Sequence, residues 1–177
     1  MFHSEAKHVV VDLETYALRP NAIILSLGAC LATDPSKYIY YEISIHTQPQ
    51  RIVDINVLKW WEVQGNAPNQ GIVQLSSALR DFNVFLTEIA EPKDLFLWSK
   101  GTDFDIPMLY NAMDEENINP YWRYNNVRDL RTFKSVTRAT VARNKKEIEH
   151  NALGDCFYQA RVLLECFTLV SDLNHVR

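Results

Sequence analysis

Long apolar runs are missing from this sequence. No stretch approaches the roughly 20 residues needed to cross a bilayer, and Met1-Phe2-His3-Ser4-Glu5 has neither the basic nor the apolar region of a signal peptide. A soluble protein that is not exported and has no membrane partner is expected. Clustered cysteines are missing too. Cys30, Cys156 and Cys166 are odd in number, widely spaced and set in apolar stretches, which argues against a disulfide framework or a thiolate metal site and leaves reduced packing residues. Nor is there an excess of basic charge, since 18 Lys and Arg face 22 Asp and Glu for a net charge of −4. That balance disfavours a protein that coats nucleic acid, because phosphate contacts draw on Lys and Arg. It does not exclude an enzyme acting on nucleic acid, because carboxylates that hold divalent cations are neutralised when loaded. Internal repeats, linkers and low-complexity segments are also lacking. With 177 residues, 47% of them hydrophobic, the chain can build one core, and residues 1–177 are expected to form a single domain.

What is present is a change of period along the chain. The run Val9-Val10-Val11 ends abruptly in Asp12-Leu13-Glu14-Thr15, the pattern of a buried strand that delivers polar groups at its tip. Residues 22–32 are a longer apolar segment, and residues 37–46 are rich in β-branched and aromatic side chains. Three consecutive strands are therefore predicted, with turns at Arg19-Pro20-Asn21 and Asp34-Pro35-Ser36. Helical spacing then takes over. Asp54 can cap a helix carrying Val57, Leu58 and Trp61, stopped by Gly65-Asn66-Ala67-Pro68, and apolar residues recur at helical spacing from Ile72 to Ile89. A strand at 95–98 precedes a helix with Pro107 in its first turn, where the missing N–H matters least. Further along come a fifth strand at 126–130, a helix starting near Arg131, a polar, basic and mobile loop over 138–149, and a last helix over 152–169. That helix carries Cys156, Ala160, Leu163, Leu164 and Phe167 on one stripe. The order predicts an α/β layer fold, a mixed central sheet of three antiparallel strands first and parallel strands after, with helices on both faces.

Asp12 and Glu14 stand two apart at a strand end, so in extended chain their side chains share a face and can converge on one point. That geometry suits hard cations, which want several carboxylate oxygens. Acidic residues two apart recur at Asp103/Asp105 and Glu147/Glu149, and most such pairs are simply solvated. Context separates the first pair: the preceding run is apolar enough to be buried, and a buried strand tip is an unfavourable place for two unneutralised charges. The segment from Trp98 to Leu109 brings further carboxylates directly after another apolar strand. Asp103 reads as the cap of the following helix. Asp105, in the first turn with Phe104 packed beneath it, can face back towards the strand tips. His150 precedes Asp155 by five positions, which on a continuous helix would set them roughly 140° apart. His150 therefore belongs to the loop leading into the last helix, and Asp155 lies about one turn inside. The loop residues Arg138, Arg143, Lys145 and Lys146 would alone be a solvated charge run; beside a carboxylate cluster they become candidates for a phosphate clamp.

Taken in order, Asp12-Leu13-Glu14-Thr15, Phe104-Asp105 and His150-Asn151-Ala152-Leu153-Gly154-Asp155 resemble the three exonuclease motifs of the DEDDh 3′-5′ exonuclease superfamily. Leu58-Lys59-Trp60-Trp61, the run from Lys100 to Pro107, and Arg128-Asp129-Leu130-Arg131-Thr132 look like the branch of bacteriophage T4 DexA and exodeoxyribonuclease VIII, close to the 3′-5′ exoribonuclease Rv2179c-like domain. The resemblance runs from about Val9 to Phe167 and implies a ribonuclease H-like fold. The superfamily's pattern takes the Asp that follows Phe, hence Asp105 and not Asp103, where related sequences tend to carry an uncharged residue.

The resemblance also implies a reaction, the metal-dependent 3′→5′ hydrolysis of terminal phosphodiesters of single-stranded nucleic acid with release of nucleoside 5′-monophosphates. Asp12, Glu14, Asp105 and Asp155 would hold two divalent cations, with Asp12 bridging both and His150 as general base. The lack of clustered Cys and His favours Mg²⁺ or Mn²⁺ over zinc. Aromatic side chains stack on unpaired bases, which makes Trp60 and Trp61 both substrate-binding candidates, with Trp60 the one for stacking where Trp61 fits the core stripe of Val57 and Leu58. Leu13, Thr15 and Phe104 would lie beside the terminal nucleotide, and Arg143, Lys145 and Lys146 beside its phosphates. Single-stranded DNA is slightly favoured as substrate. RNA 3′ ends or oligoribonucleotides are the alternative, and a catalytically silent ribonuclease H-like binding domain is a second. A bacterial or phage-infected cytoplasm is the expected compartment, and a homodimer is the assembly suggested by analogy with small enzymes of the superfamily.

Overall fold

Strand β1 (Lys7–Thr15) divides its side chains between two cores. Val9, Val11 and Leu13 pack into one hydrophobic cluster and Val10 into another, as the alternation of a strand buried on both faces requires. The structure is a computed structural model and describes residues 6–65, 67–68, 71–145 and 147–175. β1 pairs antiparallel with β2 (Ile24–Leu31), which pairs antiparallel with β3 (Asp34–Glu42). On its other side β1 pairs parallel with β4 (Leu95–Ser99), and β4 with β5 (Val127–Asp129), so the sheet order is β3-β2-β1-β4-β5.

Among the described residues five α-helices cover this sheet: α1 (Ile55–Gln64), α2 (Leu75–Ile89), α3 (Asp105–Glu115), α4 (Leu130–Thr137) and α5 (Ala152–His175). Leu79, Phe82 and Leu86 of α2 and Leu109 and Met113 of α3 pack with Val9, Val11 and Leu27 on one face. Cys156, Ala160 and Leu163 of α5 and Leu130 of α4 pack with Val10, Cys30 and Trp98 on the other. All three cysteines are free and buried, and the Cys156 thiol donates to the Gly28 carbonyl at 3.2 Å. No helix among the described residues is long and apolar enough to cross a membrane.

Some predicted boundaries move. The turn between β2 and β3 is at residues 32–33, because Leu31 already pairs with Asp34, so Asp34-Pro35-Ser36 opens the strand instead of preceding it. β3 stops at Glu42 and residues 45–47 form a single 3₁₀ turn. Beyond it the Gln48 side chain takes over the strand's role, accepting from the Ile24 N–H at 2.9 Å and donating to the Ile24 carbonyl at 2.8 Å. α2 starts at Leu75 and not Ile72, since Val73 bridges to Ile43 in extended conformation. Asp103 does not cap α3. Phe104 occupies the cap position without a side-chain bond, and Asp103 is exposed.

Two contacts place the polar end of β1. Gly28 lies opposite Asp12 in the β1–β2 register, and a Cβ there would come within 2.6–2.7 Å of the Ala152 and Leu153 backbone. Only glycine lets the start of α5 approach the sheet this closely beside Asp12. At the tip, the buried Trp61 indole N–H donates to the Thr15 carbonyl at 3.0 Å, tying α1 to the end of β1.

Candidate active site

Asp12 and Glu14 project from β1 on the same side as Val10, the side that α5 covers, so Asp155 in the first turn of α5 meets them. Each of the three offers a carboxylate oxygen, and these oxygens all lie within 4.8 Å of one another. Asp105, the first residue of α3, is buried beside them with its Oδ1 accepting from the Leu13 N–H at 3.0 Å. One open cavity of about 180 Å³ is lined by Asp12, Glu14, Asp105, Asp155 and His150, with Leu13 and Phe104 in its walls.

Burial, joined at Asp12 and Glu14 by neighbouring carboxylates, pushes Asp12, Glu14 and Asp105 upward. Burial first, then the Asp105, Glu14 and Asp155 carboxylates, push Asp12 well above the ordinary carboxylate range, against the pull of a bond from Gln159. Glu14 is pushed up to about 8 by burial and by Asp155 and Asp105. Asp105 is pushed up to about 7 by burial, opposed by the Leu13 N–H, Ser99 and Arg131. A cluster of buried carboxylates pushed up in this way, offering only oxygen donors, suits hard divalent cations such as Mg²⁺ or Mn²⁺.

His150 stands two residues before α5 in left-handed backbone conformation, φ 58°. That break removes the helical separation from Asp155, so both residues can line one cavity. Its ring meets Trp60 edge-on, centroids 4.6 Å apart at 87°, and lies 6.3 Å from the Trp61 ring. Trp60 and Trp61 diverge: Trp60 is 39% exposed and Trp61 only 3%. Both nevertheless border a second cavity of about 400 Å³ that shares Leu13, Glu14 and Phe104 with the first and adds Thr15, Leu18 and Val57.

The basic loop is arranged otherwise than a free clamp. Arg143 pairs with Asp155, Nη2 to Oδ1 at 2.6 Å, donates to the Glu147 carbonyl at 3.1 Å and stacks over the Tyr158 ring at 4.3 Å. Lys145 is exposed and borders neither of these two cavities, and Arg138 is exposed at the end of α4. Lys146 lies outside the described residues.

Four residues bordering the acidic cavity, Lys100, Arg131, Glu149 and Gln159, were given no role from the sequence. Gln159, 1% exposed, donates Nε2 to Asp12 Oδ1 at 2.6 Å. It follows Asp155 by four positions, the spacing that puts two side chains on one helix face, so that signal was legible. Lys100 and Arg131 enter from the β4–α3 loop and from α4. Lys100 directly follows an apolar strand tip, as Asp12 nearly does, but Arg131 arrives only through the packing of α4.

Comparison with known proteins adds three findings. The model of the family described as 3′-5′ exoribonuclease Rv2179c-like domain matches residues 7–167. A search of curated proteins finds no match. Among solved structures, exonuclease I aligns over 97% of this chain with a TM-score of 0.67 at 12% identity. E. coli exonuclease I with a dT13 oligonucleotide aligns over 97% with a TM-score of 0.67 at 13% identity, and with a dA16 oligonucleotide over 95% with a TM-score of 0.68 at 12% identity. The chain spans less than half of those proteins, 44%, 43% and 42% of their lengths respectively. The shared architecture is the ribonuclease H-like fold.

Proposed function

The chain belongs to the 3′-5′ exoribonuclease Rv2179c-like family, and from that membership we propose that it is a metal-dependent 3′→5′ exonuclease releasing nucleoside 5′-monophosphates from single-stranded ends. The observation that carries the proposal is the meeting of Asp12, Glu14 and Asp155 within 4.8 Å, with Asp105 and His150 on the same cavity. Asp12, Glu14 and Asp155 would hold one divalent cation, and Asp12 with Asp105 a second. Bound there, such cations would make the attacking water more acidic and neutralise charge on the departing 3′ oxygen.

The protein's own groups do the rest. His150 takes the proton from the attacking water, its ring steadied against Trp60. Gln159 fixes the orientation of Asp12 through its 2.6 Å bond. The terminal base enters the larger, apolar cavity and stacks on the exposed Trp60 and on Phe104, beside Thr15 and Leu13. Arg143 steadies Asp155.

Single-stranded DNA is the first substrate to test. RNA is the second reading, favoured by the family's description as an exoribonuclease. Incubating the protein with 3′- and 5′-labelled DNA and RNA strands, with Mg²⁺, Mn²⁺ or chelator, should give stepwise shortening from the 3′ end only with metal. Internal cleavage, or activity that survives chelation, would overturn the proposal. Full metal-dependent activity in Asp12→Ala would remove the assigned site. A homodimer is proposed by analogy alone, and sedimentation velocity tests it.

A further inference from the structure

The acidic cavity has neighbours of different character on its two sides. The apolar cavity meets it through Leu13, Glu14 and Phe104. A third cavity, about 180 Å³, meets it through Lys100, Arg131 and Gln159 and adds Lys134 and Tyr158. The apolar and the third cavities share no lining residue, so the acidic one lies between them. None of Lys100, Arg131 and Lys134 forms an ion pair among the described residues.

These cations are held together by one carboxylate. Asp129 Oδ2 accepts from the Gly101 and Thr102 N–H groups at 3.0 and 2.9 Å, and its Oδ1 accepts from the Thr132 N–H at 2.6 Å. The loop bearing Lys100 is thereby fastened to the first turn of α4, which bears Arg131, with Lys134 one turn on. Gly101 makes the turn with φ 102°, a conformation costly for any other residue, and Arg131 Nη2 donates to the Lys100 carbonyl at 3.3 Å.

We infer that Lys100, Arg131 and Lys134 form a subsite for the phosphodiester next to the scissile one, on its 5′ side. The inference rests on the exonuclease reading for the direction of the strand. A strand whose terminal base fills the apolar cavity and whose last phosphate lies at the carboxylates must continue past them, and its next anionic group falls at the cavity that Lys100, Arg131 and Lys134 line. The loop residues Arg143 and Lys145 do not border this third cavity.

Lys134 borders only the basic cavity among the three, so it is the residue to vary. A fluorescein-labelled single-stranded 12-mer is titrated in Ca²⁺, which loads the carboxylates, and the strand is recovered intact to show that binding alone was read. Lys134→Ala should weaken binding roughly tenfold, the loss expected for one charge-assisted contact, and lower the slope of log affinity against log salt by about one. Lys134→Glu should weaken it further and Lys134→Arg should restore it. In turnover, the preference for a trinucleotide over a dinucleotide, which has no second phosphate, should shrink in Lys134→Ala. Binding and salt slope unchanged in both Lys134→Ala and Lys134→Glu would overturn the inference. Wild type that binds as described but cleaves nothing would sink the exonuclease reading and leave the anion subsite standing.

Discussion

Replacing Glu14 by Gln should make the metal-free protein more stable while disabling it. Glu14 is 9% exposed and held at about 8, against an ordinary value of 4.5. Because the folded state binds this proton more tightly than the unfolded one, the group's contribution is most favourable below pH 4.5 and is lost as pH rises towards 8. At about 1.4 kcal/mol per pH unit, the interval from 4.5 to neutrality amounts to about 3 kcal/mol of lost stability in the unloaded site. A glutamine removes that loss but leaves a buried amide incompletely bonded, which costs about 1–2 kcal/mol. The net gain of about 1–2 kcal/mol corresponds to a melting temperature higher by about 2–6 °C for a chain of this size. The assay is thermal unfolding of both proteins in chelator at pH 7.5 and pH 5, repeated with Mg²⁺ or Mn²⁺. The gap should be present at pH 7.5 and close or reverse at pH 5, and metal should raise the wild type far more than the variant. A variant that melts below the wild type at pH 7.5 in chelator, or a gap independent of pH, would refute the reasoning.

Other perturbations separate the roles of the remaining groups. His150→Ala should slow turnover by about 10²–10⁴, the usual worth of a positioned base, while calorimetric metal binding persists; undiminished hydrolysis would remove His150 from the mechanism. Gln159→Leu breaks the 2.6 Å bond to Asp12 and should lower kcat roughly tenfold. Because Gln159 Oε1 is buried without a partner among the described residues, the same change should leave the melting temperature unchanged or raised, and a large destabilisation would contradict this account. On the opposite side of the pH range, His8 is held at about 4 by burial and by nearby Arg128, with its Nδ1 accepting from the Trp98 indole at 3.0 Å. The unfolded chain takes this proton first, so stability contributed by His8 is full above pH 6.5 and is lost as pH falls to 4, about 1–2 kcal/mol after allowance for its solvent-facing edge. Urea midpoints of wild type and His8→Phe should converge over that interval, and a constant difference would argue against it.

Most of the strands and helices were legible because the hydrophobic period states which faces are buried. Val9-Val10-Val11 can only belong to a strand covered on both sides, and the stripe from Cys156 to Phe167 only to a helix lying on it. The boundaries that moved did so where a tertiary partner outbids local pattern. Val73 leaves the helix it would join because Ile43 offers a bridge, and β3 stops early because the Gln48 amide bonds Ile24 in its place. Asp103, a good cap by residue type, is exposed because Phe104 takes the cap position as it packs against the core.

The sequence alone determined that Asp12 and Glu14 share a strand face and that His150 precedes the helix carrying Asp155, since both follow from periodicity within one element. Whether those elements meet is a different matter. Asp155 reaches Asp12 because Gly28, on a neighbouring strand, lets α5 lie against the sheet, and no spacing within a motif encodes that approach. The destination of the basic residues was likewise decided only in three dimensions. Arg143, expected on phosphate, lies on Asp155, while Lys100, Arg131 and Lys134 line a separate cavity that adjoins the acidic one. A charge acts through distance, and distance between separate elements is set by packing and not by position along the chain.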